Sequence, residues 1–137
     1  MKSTIVIDLN VFVRALLTSG IDKAIIEAIK NDKITPAFCR DMLKNLAAVF
    51  IRPHLKLDPR DIKNLLEAIR EKATIVSPKT KINACRDASD NIILETAIES
   101  NARAIVTNDP DLIVLNPFRG ISIITPRQFI RTTKKAQ

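Results

Sequence analysis

The sequence predicts an α/β fold, a three-layer α/β/α sandwich around a mainly parallel sheet. Segments with strand patterning alternate with segments of helical periodicity along the whole chain. The strands TIVID (4–8) and AIVT (104–107) are apolar on both faces, as strands buried between helices are. The chain has 137 residues, 46% of them apolar and only two of them Gly. That is enough for a single helix-rich domain over residues 1–137 with a sizeable core.

Each element has its own signal. TIVID is a short β-branched run, the first strand. VFVRALLTSG reads as a helix ending at Gly20, because glycine readily takes the left-handed conformation that stops a helix. IDKAIIEAIKNDK puts Ile21, Ala24, Ile25, Ala28 and Ile29 at helical spacing. KITPAF is a short extended piece. Helical periodicity returns through CRDMLKNLAAVFI and stops before Pro53. DPRDIKNLLEAIREK is a helix with Asp58 as N-cap and Pro59 in its first turn. ATIVS is a strand, and SDNIILETAIESN a helix capped by Ser89. ARAIVTND is a strand that ends in polar groups, GISIITP the last strand and PRQFIRTTKK the last helix.

Composition narrows the function. The net charge of +7 favours a polyanionic partner: nucleic acid, an acidic protein or a membrane surface. The bland alternative is a solvated basic surface, to which the terminal RTTKKAQ would contribute. Five Phe with no Tyr or Trp make a base-stacking platform poorly supported. No apolar run is long enough for a membrane span. The start shows no signal-peptide pattern: a short apolar run meets a charge at once. Cys39 and Cys85 lie far apart, and His54 is the one histidine, so no zinc-ligand spacing exists. The expectation is a reduced, cytoplasmic protein that does not engage a membrane.

Why should a buried strand end in a carboxylate? In parallel α/β sheets the ligand site lies beyond the carboxyl ends of the strands, so a polar residue there points into the crevice. Two strands end this way, one in Asp8 with Asn10 two residues on, the other in Thr107, Asn108 and Asp109. Asp87 and Asp90 precede or open a helix and can face the same ends. Asp8, Asp90 and Asp109 are therefore three separated carboxylates that can converge. Converging carboxylates hold protons unless a cation joins them. An all-oxygen site suits Mg2+ or Mn2+, whose usual work is phosphoryl chemistry. A basic protein with an acidic centre has the charge layout of a nuclease. The alternative for each aspartate is a helix cap or a turn.

With these residues in place, the chain resembles the PIN domain family, close to its VapC-like prokaryotic group of toxins from toxin–antitoxin systems. The resemblance is carried by IVIDLNVFVRALL, FIRPHLKL, RDASDNIILETAIESNARAIVTNDPDLIVL and ISIITPRQFI, in the family's order and over most of the chain. It implies a parallel sheet between helices, frequent homodimers, and four acidic positions around one or two divalent metals that hydrolyse RNA. Asp8, Asp90 and Asp109 match the first, third and fourth acids. Asn10 matches the polar residue after the first, and Thr107 the hydroxyl before the fourth. The second acid is usually a helical glutamate, and that position is Asn45. Asp41, one turn earlier on the same helix face, is a candidate to take its place. Arg14 is a candidate phosphate contact, with a plain surface arginine as the alternative. Asp87 is expected to cap or to bond around a ligand, Asp111 to cap the following segment, and Glu95 to support the site or face solvent. The resemblance implies a metal-dependent endoribonuclease of a toxin–antitoxin pair, with RNA and a cognate antitoxin as partners. The alternative is a PIN-fold binding module with weak or no catalysis, because Asn45 replaces an acid. Other strand-end aspartate classes fit less well. Asn10 stands where a haloacid-dehalogenase phosphatase needs its second aspartate. A receiver domain wants an acid pair after its first strand and a lysine ending its last. No phosphate-binding glycine loop is present.

Overall fold

Five strands, β1 (Ser3–Ile7), β2 (Ile34–Cys39), β3 (Thr74–Val76), β4 (Ala104–Val106) and β5 (Ser122–Ile124), form one sheet in the order β3-β2-β1-β4-β5, with every neighbouring pair parallel. The structure, a computed structural model, describes residues 2–18 and 20–135; nothing is described of the side chains of 133–135. The side chains of Lys134 and Lys135 in the terminal basic cluster therefore lie outside the description.

Parallel strands need crossover connections, and the helices supply them. They are α1 (Leu9–Leu17), α2 (Ile21–Lys30), α3 (Arg40–Phe50), α4 (Pro59–Lys72), α5 (Ala88–Glu99), α6 (Pro110–Ile113) and α7 (Pro126–Lys135), with a 3-10 turn at Pro53–Leu55. Helix α2 packs against α1, α4 and α7, while α5 packs on β1, β2, β4 and against α3. The core runs through the sheet: Ile5, Val6, Ile7, Ile105 and Val106 are all at most 1% exposed. Phe12 of α1 stacks on Phe38 of β2, with ring centroids 5.9 Å apart. The α/β architecture with a parallel sheet is the expected one, and the sheet is parallel throughout.

KITPAF is extended, as expected, and gives most of β2, the longest strand, although Pro36, aligned with Ile5, lacks a ladder donor. Two local expectations need correction. Helix α1 stops at Leu17, before Gly20. Thr18 is extended and its hydroxyl donates to the Arg14 carbonyl (2.9 Å), which closes the last turn early. Gly20 instead caps the start of α2 with a negative φ. The cap of α5 is Asp87, whose carboxylate accepts the amide of Ser89 (2.9 Å), the residue expected to cap. Asp58 caps α4 as expected.

The irregular chain between β3 and α5 is held by one face of α5. Three side chains spaced four apart, Asn91, Glu95 and Glu99, accept backbone amides of that segment. Asn91 takes those of Ala84 (3.1 Å) and Cys85 (2.8 Å) and donates to the Cys85 carbonyl. Glu95 takes that of Ile82 (3.0 Å), and Glu99 that of Lys79 (3.1 Å).

The strand order locates the crevice. From β1 the chain winds to β2 and β3 on one side, then returns to β4 on the other. The connections leaving β1 and β4 diverge, so a cleft opens at their carboxyl ends.

Candidate metal centre

Asp8 sits where β1 becomes α1. Its amide still belongs to the sheet, donating to the Val106 carbonyl (3.0 Å). Its carboxylate accepts the amide of Asn10 (3.3 Å) and so caps α1. One residue thus ends a strand, opens a helix and faces the cleft. The β1–β4 register pairs Ile7 with Val106, which brings Asp8 beside Thr107. The Thr107 hydroxyl donates to the other carboxylate oxygen of Asp8 (2.8 Å) and accepts the amide of Asp109 (2.9 Å). Thr107 is fully buried, and Asp8 is 5% exposed. Burial pushes the Asp8 carboxyl above its ordinary value, against the bonds from Thr107 and Asn10; the Asp109 charge adds to the rise.

Asp90 lies in the first turn of α5 and is buried. Its carboxyl is pushed up to about 7, first by burial and then by a hydrogen bond with Asp109 and the charges of Asp109, Asp87 and Asp8. Asp109 caps α6, accepting the amide of Asp111 (2.9 Å). Asp111, the predicted cap, lies instead in the first turn of α6. One carboxylate oxygen from each of Asp90, Asp109 and Asp111 lies within 4.8 Å of the others. That trio is not the predicted one: Asp111 joins it, while Asp8 lines the same cavity beside it. Arg86 lies 3.6 Å from Asp111 on the solvent side.

These groups surround a cavity of about 360 Å³, which Asp8, Asp90 and Asp109 line together with Asn10, Asn45 and Asp87. Asn45 thus faces the acids from α3, as the register of that helix predicts. Asp41 does not. It lines a separate depression with Arg40, Val76 and Lys81, so it stands away from the acids it was expected to join. Arg14 also points elsewhere: its Nε lies 3.0 Å from Asp22 and braces α1 against α2. Glu95 is occupied by the Ile82 amide. Sequence reasoning missed Arg52, which lines the cavity seven residues beyond Asn45; helical spacing from Asn45 was the available signal.

A divalent ion fits these residues. The donors are all oxygen, which suits Mg2+ or Mn2+ over softer metals. The charge argues the same way. A carboxyl raised to about 7 among other aspartates lacks a compensating cation, and a divalent ion would supply it.

Comparison with known proteins bears on the family and the fold. A family profile described as "PIN domain" matches residues 4–111. The Methanocaldococcus jannaschii protein described as "Uncharacterized protein MJ1680" is 34% identical over 147 aligned positions, covering 98% of this chain and 94% of that protein. The crystal structure of PAE2754 from Pyrobaculum aerophilum matches with a TM-score of 0.62 at 15% identity, over 99% of this chain and 91% of that one. At that identity the likeness speaks to the fold alone. Among the described residues, no helix is long and apolar enough to cross a membrane.

Proposed function

Because the chain belongs to the PIN domain family, whose nuclease-like fold typically uses divalent metals, we propose that it is a Mg2+- or Mn2+-dependent endoribonuclease. The observation that carries the reading is the meeting of Asp8, Asp90 and Asp109 around one cavity at the carboxyl ends of β1 and β4. Asp90 and Asp109, with Asp111 or Asp8, would hold the ion. A bound divalent ion supplies charge neutralisation at the phosphate and activation of water. The chain's own residues do the rest. Thr107 fixes one oxygen of Asp8 and the backbone of Asp109, so two acids keep one relative position. Asn10 and Asn45 offer polar groups at the cavity wall. The net charge of +7 suits RNA as partner.

On the family resemblance we further propose a toxin role, a cognate antitoxin, a cytoplasmic site of action and a homodimer formed by helices of residues 52–72 and the early helices. The neighbouring open reading frame and light scattering test the partners. Activity is tested by incubating purified protein with a mixed RNA pool and Mn2+, Mg2+ or EDTA. Cleavage that needs the metal and disappears in Asp8→Asn and Asp90→Asn is the expected result. An Asp8→Asn variant that cuts as well as wild type would overturn the reading. Asn45, standing where the family usually has an acid, favours one second reading: a PIN-fold module that binds RNA or protein and cleaves weakly or not at all. Binding without metal-dependent cleavage would select it.

A further inference from the structure

The cavity has two unlike walls. One is acidic, formed by Asp8, Asp87, Asp90 and Asp109. The other is a stripe of α3 and the turn after it, where Met42, Asn45, Val49 and Arg52 follow at helical spacing. The amide of Arg52 donates to the Val49 carbonyl (3.1 Å), and Pro53 follows at once, so the backbone at Arg52 is held at the cavity rim. Arg52 is the one cationic residue among those lining the cavity. Among the described residues, no carboxylate lies within 4.0 Å of its guanidinium. The charges that act on Asp8 and Asp90 are those of other aspartates.

An exposed arginine that lines the same cavity as four carboxylates and pairs with none is placed for an anion between the walls. A polyanion is repelled by the acidic side and needs a cation opposite. Guanidinium meets a phosphate with two parallel N–H···O bonds, which fixes position as well as charge. We propose that Arg52 binds a backbone phosphate of RNA in this cavity and so sets which phosphodiester faces the aspartates. The inference rests on the ribonuclease reading for its ligand class.

The test measures binding of a fluorescein-labelled oligouridylate by anisotropy, in EDTA and across a KCl series. Arg52→Gln is expected to weaken binding roughly tenfold and to flatten the salt slope by about 0.7, one single-strand phosphate contact. Arg52→Lys keeps the slope and loses affinity a few-fold. Arg60→Gln, at the exposed start of α4 where Arg60 pairs with Asp58, leaves the affinity near wild type. Mn2+ affinity by calorimetry stays unchanged in all three. Wild-type affinity and slope in Arg52→Gln overturn the proposal, as does a wild type that does not bind. Far-UV circular dichroism checks folding. If Arg52→Gln does not fold, Arg52→Lys decides, and unchanged affinity there overturns the proposal. A wild type that binds but never cleaves sinks the ribonuclease reading and leaves this comparison intact. A wild type that cleaves while Arg52→Gln binds equally does the reverse.

Discussion

Replacing Thr107 by valine keeps the shape of a fully buried side chain and deletes its hydroxyl. Two bonds go with it: the one donated to Asp8 at 2.8 Å and the one accepted from the Asp109 amide at 2.9 Å. A hydrogen bond to a charged group contributes roughly 1.5–3 kcal/mol, and an orphaned buried amide costs roughly 1–3 kcal/mol. Asp109 is only half-buried, so its amide falls at the low end. The sum is about 3 kcal/mol, a large share of the roughly 5–15 kcal/mol that holds a domain folded. The loss depends on pH. The Thr107 bond lowers the Asp8 carboxyl, which burial has already raised, so its removal lifts that carboxyl further. A carboxyl with a raised folded-state pKa favours the fold while protonated, and that advantage is lost as pH rises through the folded value. The Thr107→Val deficit is therefore smallest in acid, where Asp8 is protonated in both proteins, and complete once Asp8 is ionised. With no Trp or Tyr, urea unfolding is followed by far-UV circular dichroism along a pH series from acid to neutral. A neutral-pH deficit below about 1 kcal/mol, or one that does not grow along the series, would refute the reasoning.

The Asp90 carboxyl, raised to about 7, makes the metal-free fold lose stability between its ordinary range and neutrality and level off above. Metal binding must then release that proton, so Mn2+ affinity measured calorimetrically should fall about tenfold per pH unit below 7; a flat profile would exclude Asp90 as a ligand. Asn45→Glu adds a carboxylate at the cavity wall and should tighten Mn2+ binding by about tenfold, while Asn45→Ala changes little. Asp41→Asn should leave Mn2+ affinity and cleavage at wild-type levels, since Asp41 lines a different depression. Asn91→Ala should cost roughly 2 kcal/mol and expose the Ala84 and Cys85 amides to hydrogen exchange.

Asp8 and Asp109 were legible because TIVID and AIVT are apolar on both faces and each runs into a carboxylate at the edge where a crevice opens, whereas Asp111 read only as a cap. The helical stripe of α3 was equally plain, and Asn45 falls on it. The neighbourhood of β1 and β4 was not legible: strand order is decided by packing of whole connections, and nothing local in either strand names its partner. KITPAF was legible as extended, but its place in the middle of the sheet was not, because a proline lacks the ladder donor that an interior strand normally uses. The caps were ambiguous for a chemical reason. Asp87 and Ser89 are both good N-caps two residues apart, as are Asp109 and Asp111, and only the backbone decides which one turns into the helix. The anchoring by Glu95 and Glu99 was not legible because their partners are main-chain amides, which carry no sequence signature.

That last feature decides how freely this edge of the molecule can change. What α5 grips between residues 79 and 85 is amide, and every residue type but proline offers the same amide. Lys79, Thr80, Lys81, Asn83, Ala84 and Arg86 are exposed, while Ile82 is buried in the core and Cys85 packs partly against it. The surface of this segment can be rewritten residue by residue while Asp87 and Asp90 stay where they are. A lineage can thus alter what approaches the cleft without disturbing what happens inside it.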